Sequence, residues 1–407
     1  NNKPFASYVK LVKVDGETGK KVTLNSASFK IKDAQGNYVV QKVSGTKVDT
    51  FTTNSDNEII PVVEKGTVTL PLMLNAGTYT IEEIKTPKGF LDLERPVEFV
   101  ISSTYDYDVD QDADPIVEVK IKNRQPKGEI KLNKTVMDLD TDTDLVDRSD
   151  LSKIQFVLKA KEDIYSSIDG SLMFEKDSVI TTENSGAIVN TGSEVGNGIY
   201  ALSLDGHLDI SNLPMSTKGA SYYLQEVKTL DGCVLDTVQY DAVFKQSDFT
   251  TKNYIKSFDV ENKTTDFEFN KTDVTGDKEV EGAQLTITDE DGNVVDQWTS
   301  DGKVHSIEGL VVGKTYTLSE TVTAKDYVKA TDIKFTVKNS SELETVTMKD
   351  KQVFVSKTTV GGEEVTGAHM QIIDEDGNII DEWYSEGKSH IANGLEEGKT
   401  YTLHEDL

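Results

Sequence analysis

Four short stretches of the sequence place a lysine on a strand face that is otherwise apolar. Because side chains alternate along a β-strand, Val9, Leu11 and Lys13 of the stretch VKLVK share one face. The same spacing recurs in IKLNK, FEFNK and VFVSK, which end on Lys134, Lys271 and Lys357. An ammonium that follows apolar residues into a core is costly unless a partner compensates its charge. We therefore expect a buried acidic partner for these lysines.

Glutamates with a complementary pattern follow the lysines along the chain. Each one ends a Tyr-x-(Leu/Ile)-x-Glu motif, so that the tyrosine, the aliphatic residue and the glutamate share a strand face. The four glutamates are Glu83, Glu226, Glu320 and Glu405. A third polar residue ends the apolar face of a later strand in three cases, at Asn123, Asn262 and Asp350. The order lysine, glutamate, asparagine or aspartate thus occurs three times.

Such a set of residues can form a covalent bond. Burial lowers the pKa of a lysine and raises that of a glutamic acid, and a neutral lysine amine is a nucleophile. A protonated glutamic acid can polarise the side-chain carbonyl of the asparagine or aspartate and pass protons to the leaving group. The product is an isopeptide bond, with loss of ammonia or water. We predict the bonds Lys13–Asn123, Lys134–Asn262 and Lys271–Asp350, with Glu83, Glu226 and Glu320 as the catalytic residues.

The alternative is a salt bridge at a strand end near water, which contributes little to stability. Three repetitions of the same ordered set favour the covalent bond over three independent ion pairs. Lys357 and Glu405 are followed by no asparagine or aspartate that closes a further strand. We therefore expect these two residues to lack an acceptor, in an incomplete unit with an open sheet edge.

Internal repeats and strand patterns indicate the fold class. Residues 285–320 recur as residues 370–405, a period of about 85 residues that suits a small domain. Short stretches rich in Val, Ile, Thr, Tyr and Phe alternate with turns such as DEDGN. The stretch DLSKIQFVLKAKED fits either a strand or a helix. We predict an all-β chain of tandem Ig-like β-sandwich domains at residues 1–125, 126–264, 265–351 and 352–407, the second with insertions and the fourth without its last strand.

These motifs resemble the CnaB-type (SpaA-like, prealbumin-like) domains of Gram-positive cell-wall-anchored surface proteins and pilins. The resemblance lies in KLVKVDGETGK, SASFKI, YTIEEIKTPKGF and KIKN of the first unit, and in FNKTDVTGDKEVEGAQLTI and YTLSE of the third. It implies a prealbumin-like sandwich and the same lysine, glutamate and asparagine roles. It also implies an extracellular protein, anchored to the cell wall by a sorting signal outside this chain. Asp350 stands where the family more often has asparagine, which still permits an amide.

The composition narrows the range of partners. A formal net charge of −28 repels nucleic acid and anionic membranes, and no apolar run of about 18 residues predicts a membrane span. The lone Cys233 excludes an intrachain disulfide, and we expect it to be a small buried hydrophobe.

Metal and cofactor sites are not expected. The acidic stretch 138–147 lacks the glycine and glutamate of an EF-hand loop, and we interpret it, like residues 105–115, as a solvated acidic loop. The five histidines lack metal-ligand spacing.

Three functions fit the sequence. The first is the structural stalk of a surface adhesin or pilus component, in which the cross-link joins the first and last strands of a domain. The second is binding of a host extracellular-matrix or cell-surface ligand by loops of the first two domains. The third is a backbone pilin, which the absence of a Tyr-Pro-Lys linking motif disfavours. We do not expect an enzyme, because the predicted chemistry acts once and on the chain itself.

Overall fold

The computed structural model describes residues 5–56, 58–103, 115–139 and 141–406. These residues form β-strands with one four-residue α-helix, so the prediction of an all-β fold is confirmed. The ambiguous stretch begins with a 3₁₀ turn at Leu151–Lys153 and continues as a strand from Gln155. No helix among the described residues is long and apolar enough to cross a membrane. The acidic stretch 105–115 lies, apart from Pro115, outside the described residues.

Ten strands lie in the described part of the first predicted domain. They are β1 (Ala6–Asp15), β2 (Ser28–Lys32), β3 (Gln41–Val43), β4 (Thr46–Val48), β5 (Phe51–Thr52), β6 (Thr67–Thr69), β7 (Leu74–Asn75), β8 (Gly77–Lys85), β9 (Val97–Ile101) and β10 (Ile116–Asn123). One sheet has the order β10-β1-β6, with β7 also on β1, and a second has the order β5-β2-β8-β9. The lysine strand β1 and the glutamate strand β8 therefore belong to different sheets.

The second predicted domain contains twelve described strands and the α-helix. They are β11 (Lys127–Val136), β12 (Thr143–Asp144), β13 (Gln155–Ala160), β14 (Ile164–Tyr165), β15 (Leu172–Phe174), α1 (Thr182–Ser185), β16 (Ile188–Thr191), β17 (Ser193–Gly196), β18 (Ile199–Ala201), β19 (His207–Pro214), β20 (Ala220–Lys228), β21 (Gln239–Phe244) and β22 (Asn253–Asn262). The sheets run β16-β19-β11-β22 and β17-β18-β13-β20-β21, with β14-β15 as a separate hairpin. Lysine and glutamate strands again lie in different sheets.

The third and fourth predicted domains continue this arrangement. Their strands are β23 (Asp266–Asp273), β24 (Gln284–Thr288), β25 (Val294–Thr299), β26 (His305–Glu308), β27 (Thr315–Val322), β28 (Ile333–Thr336), β29 (Glu344–Asp350), β30 (Phe354–Val355), β31 (Thr366–Ile373), β32 (Ile379–Glu386), β33 (His390–Ile391) and β34 (Thr402–Asp406). The sheets are β12-β26-β23-β29, β25-β24-β27-β28, β30-β33 and β32-β31-β34.

The chain divides into two compact units. The first comprises residues 1–134, 151–228 and 237–260, and the second comprises residues 135–150, 229–236 and 261–407. The division into four sequence domains stays a prediction.

The cores lie between facing sheets, as alternation along the strands requires. In the first domain, Val9 and Leu11 of β1 pack with residues of β2, β8 and β10 in one buried cluster. In the third, Phe267 and Phe269 of β23 occupy the equivalent places. Because Lys13 and Lys271 continue these inward-facing rows, their ammonium groups are directed into the space between the sheets.

Residues 135–150 pack within the second unit, although they belong to the predicted second domain. β12 pairs in parallel with β26 and places Asp144 opposite Glu308. The Arg148 guanidinium contacts Asp144 and lies 3.3 Å from Glu308 Oε1. The Glu308 side chain is fully buried, so this ion pair is sheltered from water and stabilises the edge of the sheet.

The same residues form an acidic cluster. Asp138, Asp144 and Glu308 each bring one carboxylate oxygen within 4.8 Å of the others. Arg148 contacts Asp144 and Glu308, and its Nη2 lies 3.9 Å from Asp138 Oδ1. The guanidinium therefore supplies the positive charge that these carboxylates need.

Replacing Arg148 by alanine should lower the free energy of unfolding by about 3 kcal/mol, because the buried Glu308 carboxylate loses its cation. Burial raises the pKa of Glu308, and the negative charge of Asp144 makes a smaller contribution in the same direction. A group with a raised folded-state pKa contributes stability at low pH that is lost as the pH rises through that pKa. Thermal unfolding near pH 5 and near pH 8 should therefore show the larger loss at the higher pH. Arg148→Ala/Glu308→Gln is the control; a double variant as unstable as the single one would contradict the prediction.

Candidate functional site

The lysine and its predicted acceptor lie on neighbouring parallel strands. β1 pairs with β10, with Lys13 opposite Ile121 and Asp15 opposite Asn123. β23 pairs with β29 in the same register, with Lys271 opposite Met348 and Asp273 opposite Asp350. In both domains the acceptor is therefore offset by two residues from the position opposite the lysine. An offset of two keeps both side chains on the same face of the sheet.

A β-bulge accompanies each of the first three glutamates. The register between β2 and β8 shifts just beside the pair Phe29–Glu83. Equivalent shifts occur beside Phe156–Glu226 and beside Leu285–Glu320. A bulge bends its strand and re-aims the local side chains. Here it lies at the point where a carboxylate must turn into the core.

The first site brings Lys13, Glu83 and Asn123 into mutual contact. Lys13 Nζ contacts Asn123 Oδ1 and lies 3.3 Å from Glu83 Oε1. Asn123 Nδ2 donates hydrogen bonds to Glu83 Oε2 at 2.6 Å and to the Leu91 carbonyl at 2.8 Å. The two oxygens of one carboxylate thus contact the lysine nitrogen and the amide nitrogen separately. The sequence pattern predicted a contact between the glutamate and the amide carbonyl, whereas in the structure Glu83 contacts the amide nitrogen.

The environment of Lys13 favours a neutral amine. Burial lowers the pKa of Lys13 to about 8, and the opposing effects of Glu83 and Asp15 are smaller. The direction matches the sequence-based expectation for a buried lysine. A larger fraction of Lys13 side chains is therefore unprotonated at neutral pH than for an exposed lysine.

The second site contains a lysine–glutamate pair whose side chains are both fully buried. Lys134 Nζ lies 2.8 Å from Glu226 Oε2, and the Phe156 ring lies 5.6 Å from the same nitrogen. Asn262 is buried at the end of β22, which neighbours the lysine strand β11 in its sheet. Its Nδ2 donates a hydrogen bond to the Thr229 hydroxyl.

The third site has two carboxylates around one lysine. Lys271 Nζ contacts Asp350 Oδ1 and lies 3.1 Å from Glu320 Oε1. Glu320 Oε2 accepts a hydrogen bond from the Ala330 backbone N–H at 2.8 Å. Burial raises the pKa of Asp350 to about 6; Lys271 opposes this rise and the Glu320 carboxylate adds to it. A neutral aspartic acid is therefore accessible near physiological pH.

The fourth pair lies at the surface. Lys357 Nζ is 2.7 Å from Glu405 Oε2, but the two side chains are 32% and 40% exposed. Water solvates both charges, so this is a surface ion pair.

One functional candidate is visible only in the structure: the threonine three residues after the glutamate. The Thr86 hydroxyl contacts Glu83, and the Thr229 hydroxyl contacts Asn262. The spacing Glu-x-x-Thr, present in EIKT and EVKT, was the available signal.

Replacing Lys271 by methionine should lower the free energy of unfolding by at least about 3–5 kcal/mol, because the buried Glu320 and Asp350 carboxyls lose their lysine partner, whether that lysine is an ion or is linked as an amide. The raised pKa of Asp350 means that the stability from its protonation is lost as pH rises through about 6. The loss measured by chemical denaturation should therefore be larger near pH 8 than near pH 5. Lys357→Met is the matched control and should cost less than about 1 kcal/mol. Equal losses for the two variants would refute the prediction.

Comparison with known proteins supports the resemblance seen in the motifs. Residues 7–115 and 265–352 match the family model described as SpaA, a prealbumin-like fold domain. No curated protein matches the chain.

Three similar solved structures come from Gram-positive bacteria. The Bacillus anthracis TIE protein is 19% identical with a TM-score of 0.46; the alignment covers 85% of this chain and 51% of that one, so this chain spans about half of its length. BcpA, the major pilin subunit of Bacillus cereus, is 15% identical with a TM-score of 0.38, and the alignment covers 85% of this chain and 99% of BcpA. The full-length major pilin SpaD from Corynebacterium diphtheriae is 16% identical with a TM-score of 0.25, and the alignment covers 85% of this chain and 98% of SpaD. Residues 7–115 and 265–352 are therefore similar to the prealbumin-like fold domains of the SpaA family.

Proposed function

We propose that this chain is the structural stalk of a Gram-positive surface protein or pilus component, and that its domains are stabilised by self-formed isopeptide bonds. The observation that carries the proposal is the buried contact of Lys13, Glu83 and Asn123. Lys271, Glu320 and Asp350 repeat it in the third domain. The bonds proposed are Lys13–Asn123, Lys134–Asn262 and Lys271–Asp350. Glu83, Glu226 and Glu320 are the proposed catalytic residues.

In the first site, Glu83 acts as a proton carrier between the two nitrogens. Its Oε1, 3.3 Å from Lys13 Nζ, takes a proton from the ammonium. The neutral amine attacks Cγ of Asn123 and gives up a second proton as the new C–N bond forms. Glu83 Oε2, 2.6 Å from Nδ2, returns a proton to that nitrogen as its bond to Cγ breaks. The leaving nitrogen takes up the second lysine proton as well and departs as ammonium, so the chain loses the mass of one ammonia and the lysine nitrogen keeps one hydrogen as an amide.

The third site loses water in place of ammonia. The amine of Lys271 attacks Cγ of the protonated Asp350 carboxyl, and the carboxyl hydroxyl leaves as water after receiving a proton relayed by Glu320. The raised pKa of Asp350 favours the neutral carboxyl that this reaction needs. Both reactions act once, within the chain, so no turnover activity is proposed.

A bond between the first and last strands suits a protein that bears tension. Force applied through β1 and β10 of the first domain would pass along the Lys13–Asn123 link. The residues between these two positions would then carry little load and would resist unfolding and proteolysis. We place the chain outside the cell and attached to the cell wall on the same proposal. Binding of a host matrix or cell-surface ligand is the alternative role.

The intact mass of the purified chain tests the chemistry. We expect a mass below the sequence mass by two ammonias and one water. Lys13→Ala and Lys134→Ala should each regain one ammonia, and Lys271→Ala should regain the water, after correction for the substitution. Lys357→Ala is the control and should regain nothing. A mass equal to the sequence mass would refute the cross-links.

Stretching single molecules tests the mechanical role. The wild-type first domain should not extend by the length of the chain between Lys13 and Asn123, because a covalent bond closes that loop. Lys13→Ala should release the whole loop, up to about 3.5 Å per residue. A wild-type trace that already contains this extension would contradict a load-bearing link.

A further inference from the structure

We propose that Thr86 and Thr229 are positioning residues that orient the leaving amide nitrogen in the two asparagine sites. Each lies three residues after the glutamate, at the end of the glutamate strand. This inference rests on the proposed cross-linking and assigns a role to a residue type outside the lysine, glutamate and acceptor set.

In the first site the threonine acts on the glutamate. Thr86 Oγ1 lies 3.1 Å from Glu83 Oε2, the same oxygen that accepts from Asn123 Nδ2. The same oxygen lies 2.5 Å from Asp92 Oδ1, so the single hydroxyl proton is shared between the two carboxylates. A hydroxyl held between these carboxylates restricts the rotation of Glu83. Glu83 Oε2 then stays in contact with Asn123 Nδ2, and Glu83 Oε1 stays near Lys13 Nζ.

In the second site the threonine acts on the acceptor itself. Asn262 Nδ2 donates directly to the Thr229 hydroxyl oxygen. While the hydroxyl accepts from Nδ2, the leaving nitrogen faces Thr229; in the reversed amide the same hydroxyl would have to turn and donate to Oδ1. The two threonines thus contact different partners, and each contact bears on the leaving nitrogen.

The third site gives a natural contrast, because its acceptor Asp350 has no leaving nitrogen. Thr323 occupies the equivalent position, and its hydroxyl has no hydrogen-bond partner among the described residues. Glu320 is held by the Ala330 backbone N–H instead. The hydroxyl contact therefore accompanies the asparagine acceptor and is missing where an aspartate replaces it.

The physical reason is orientation. A reaction between held groups is fast only if the attacking and leaving atoms are aligned, and a misplaced group costs a large factor in rate. Loss of one hydrogen bond that aligns the leaving nitrogen should slow bond formation by about tenfold.

The test follows bond formation in the full chain during cell-free synthesis, with samples quenched in denaturant at successive times. Peptide mass mapping reads each of the three cross-links separately. Thr86→Val should slow the Lys13–Asn123 bond about tenfold and leave the other two bonds unchanged. Thr229→Val should slow only the Lys134–Asn262 bond. Thr86→Ser and Thr229→Ser keep the hydroxyl and should restore the rates, which a purely steric role would not predict.

One control separates this inference from its alternatives. Thr323→Val should leave the Lys271–Asp350 bond at the wild-type rate. A rate for Thr86→Val within twofold of wild type would overturn the proposal. A wild-type chain that forms no bond would instead overturn the proposed function.

Discussion

One electrostatic constraint organises these domains: a lysine ammonium directed into the core of a β-sandwich must keep its carboxylate and its asparagine or aspartate neighbour in contact. An ion left alone in such a place costs several kcal/mol, far more than a surface ion pair contributes. Two structural elements satisfy the constraint. The neighbouring parallel strands bring Lys13 to Asn123, and the facing sheet supplies Glu83 through a bulge. The same elements recur around Lys271.

The parallel pairing of the first and last strands also determines how much a covalent link between them would stabilise the domain. Parallel neighbours need a long connection, so nearly the whole domain lies between the bonded positions. The separations are 110 residues for Lys13 and Asn123 and 79 for Lys271 and Asp350. A link across either loop would restrict the unfolded chain by about 4–5 kcal/mol in the loop-closure description. The two values differ by only about 0.3 kcal/mol, because the cost grows with the logarithm of loop length.

Much of this architecture could be predicted from alternation alone. The spacing of Val9, Leu11 and Lys13 predicted a buried lysine, because the period of a strand is a local property. The bulge beside Glu83 could not be predicted, since it depends on how β8 pairs with the distant β2. For the same reason alternation gave no sign that Glu83 would contact the amide nitrogen of Asn123.

The insertion shows a different limit of sequence reasoning. Residues 138–147 have the composition of a solvated loop, yet β12 joins a sheet there and Arg148 reaches a buried carboxylate. That carboxylate, Glu308, lies more than 150 residues further along the chain. No local pattern around Arg148 could reveal such a partner, because the pairing arises from packing within the second unit.

The third and fourth lysine motifs show that nearly the same residues can lie in different environments. YTLSE and YTLHE differ at one residue, and the lysine–glutamate distance is even shorter in the fourth pair, 2.7 Å against 3.1 Å. Yet the side chain of Lys271 is 2% exposed and that of Lys357 is 32% exposed. β23 lies between two strands of its sheet, whereas β30 pairs only with β33 among the described residues. The strand that carries the acceptor therefore also excludes water from the lysine, and a short lysine–glutamate distance is not enough to create the buried pair.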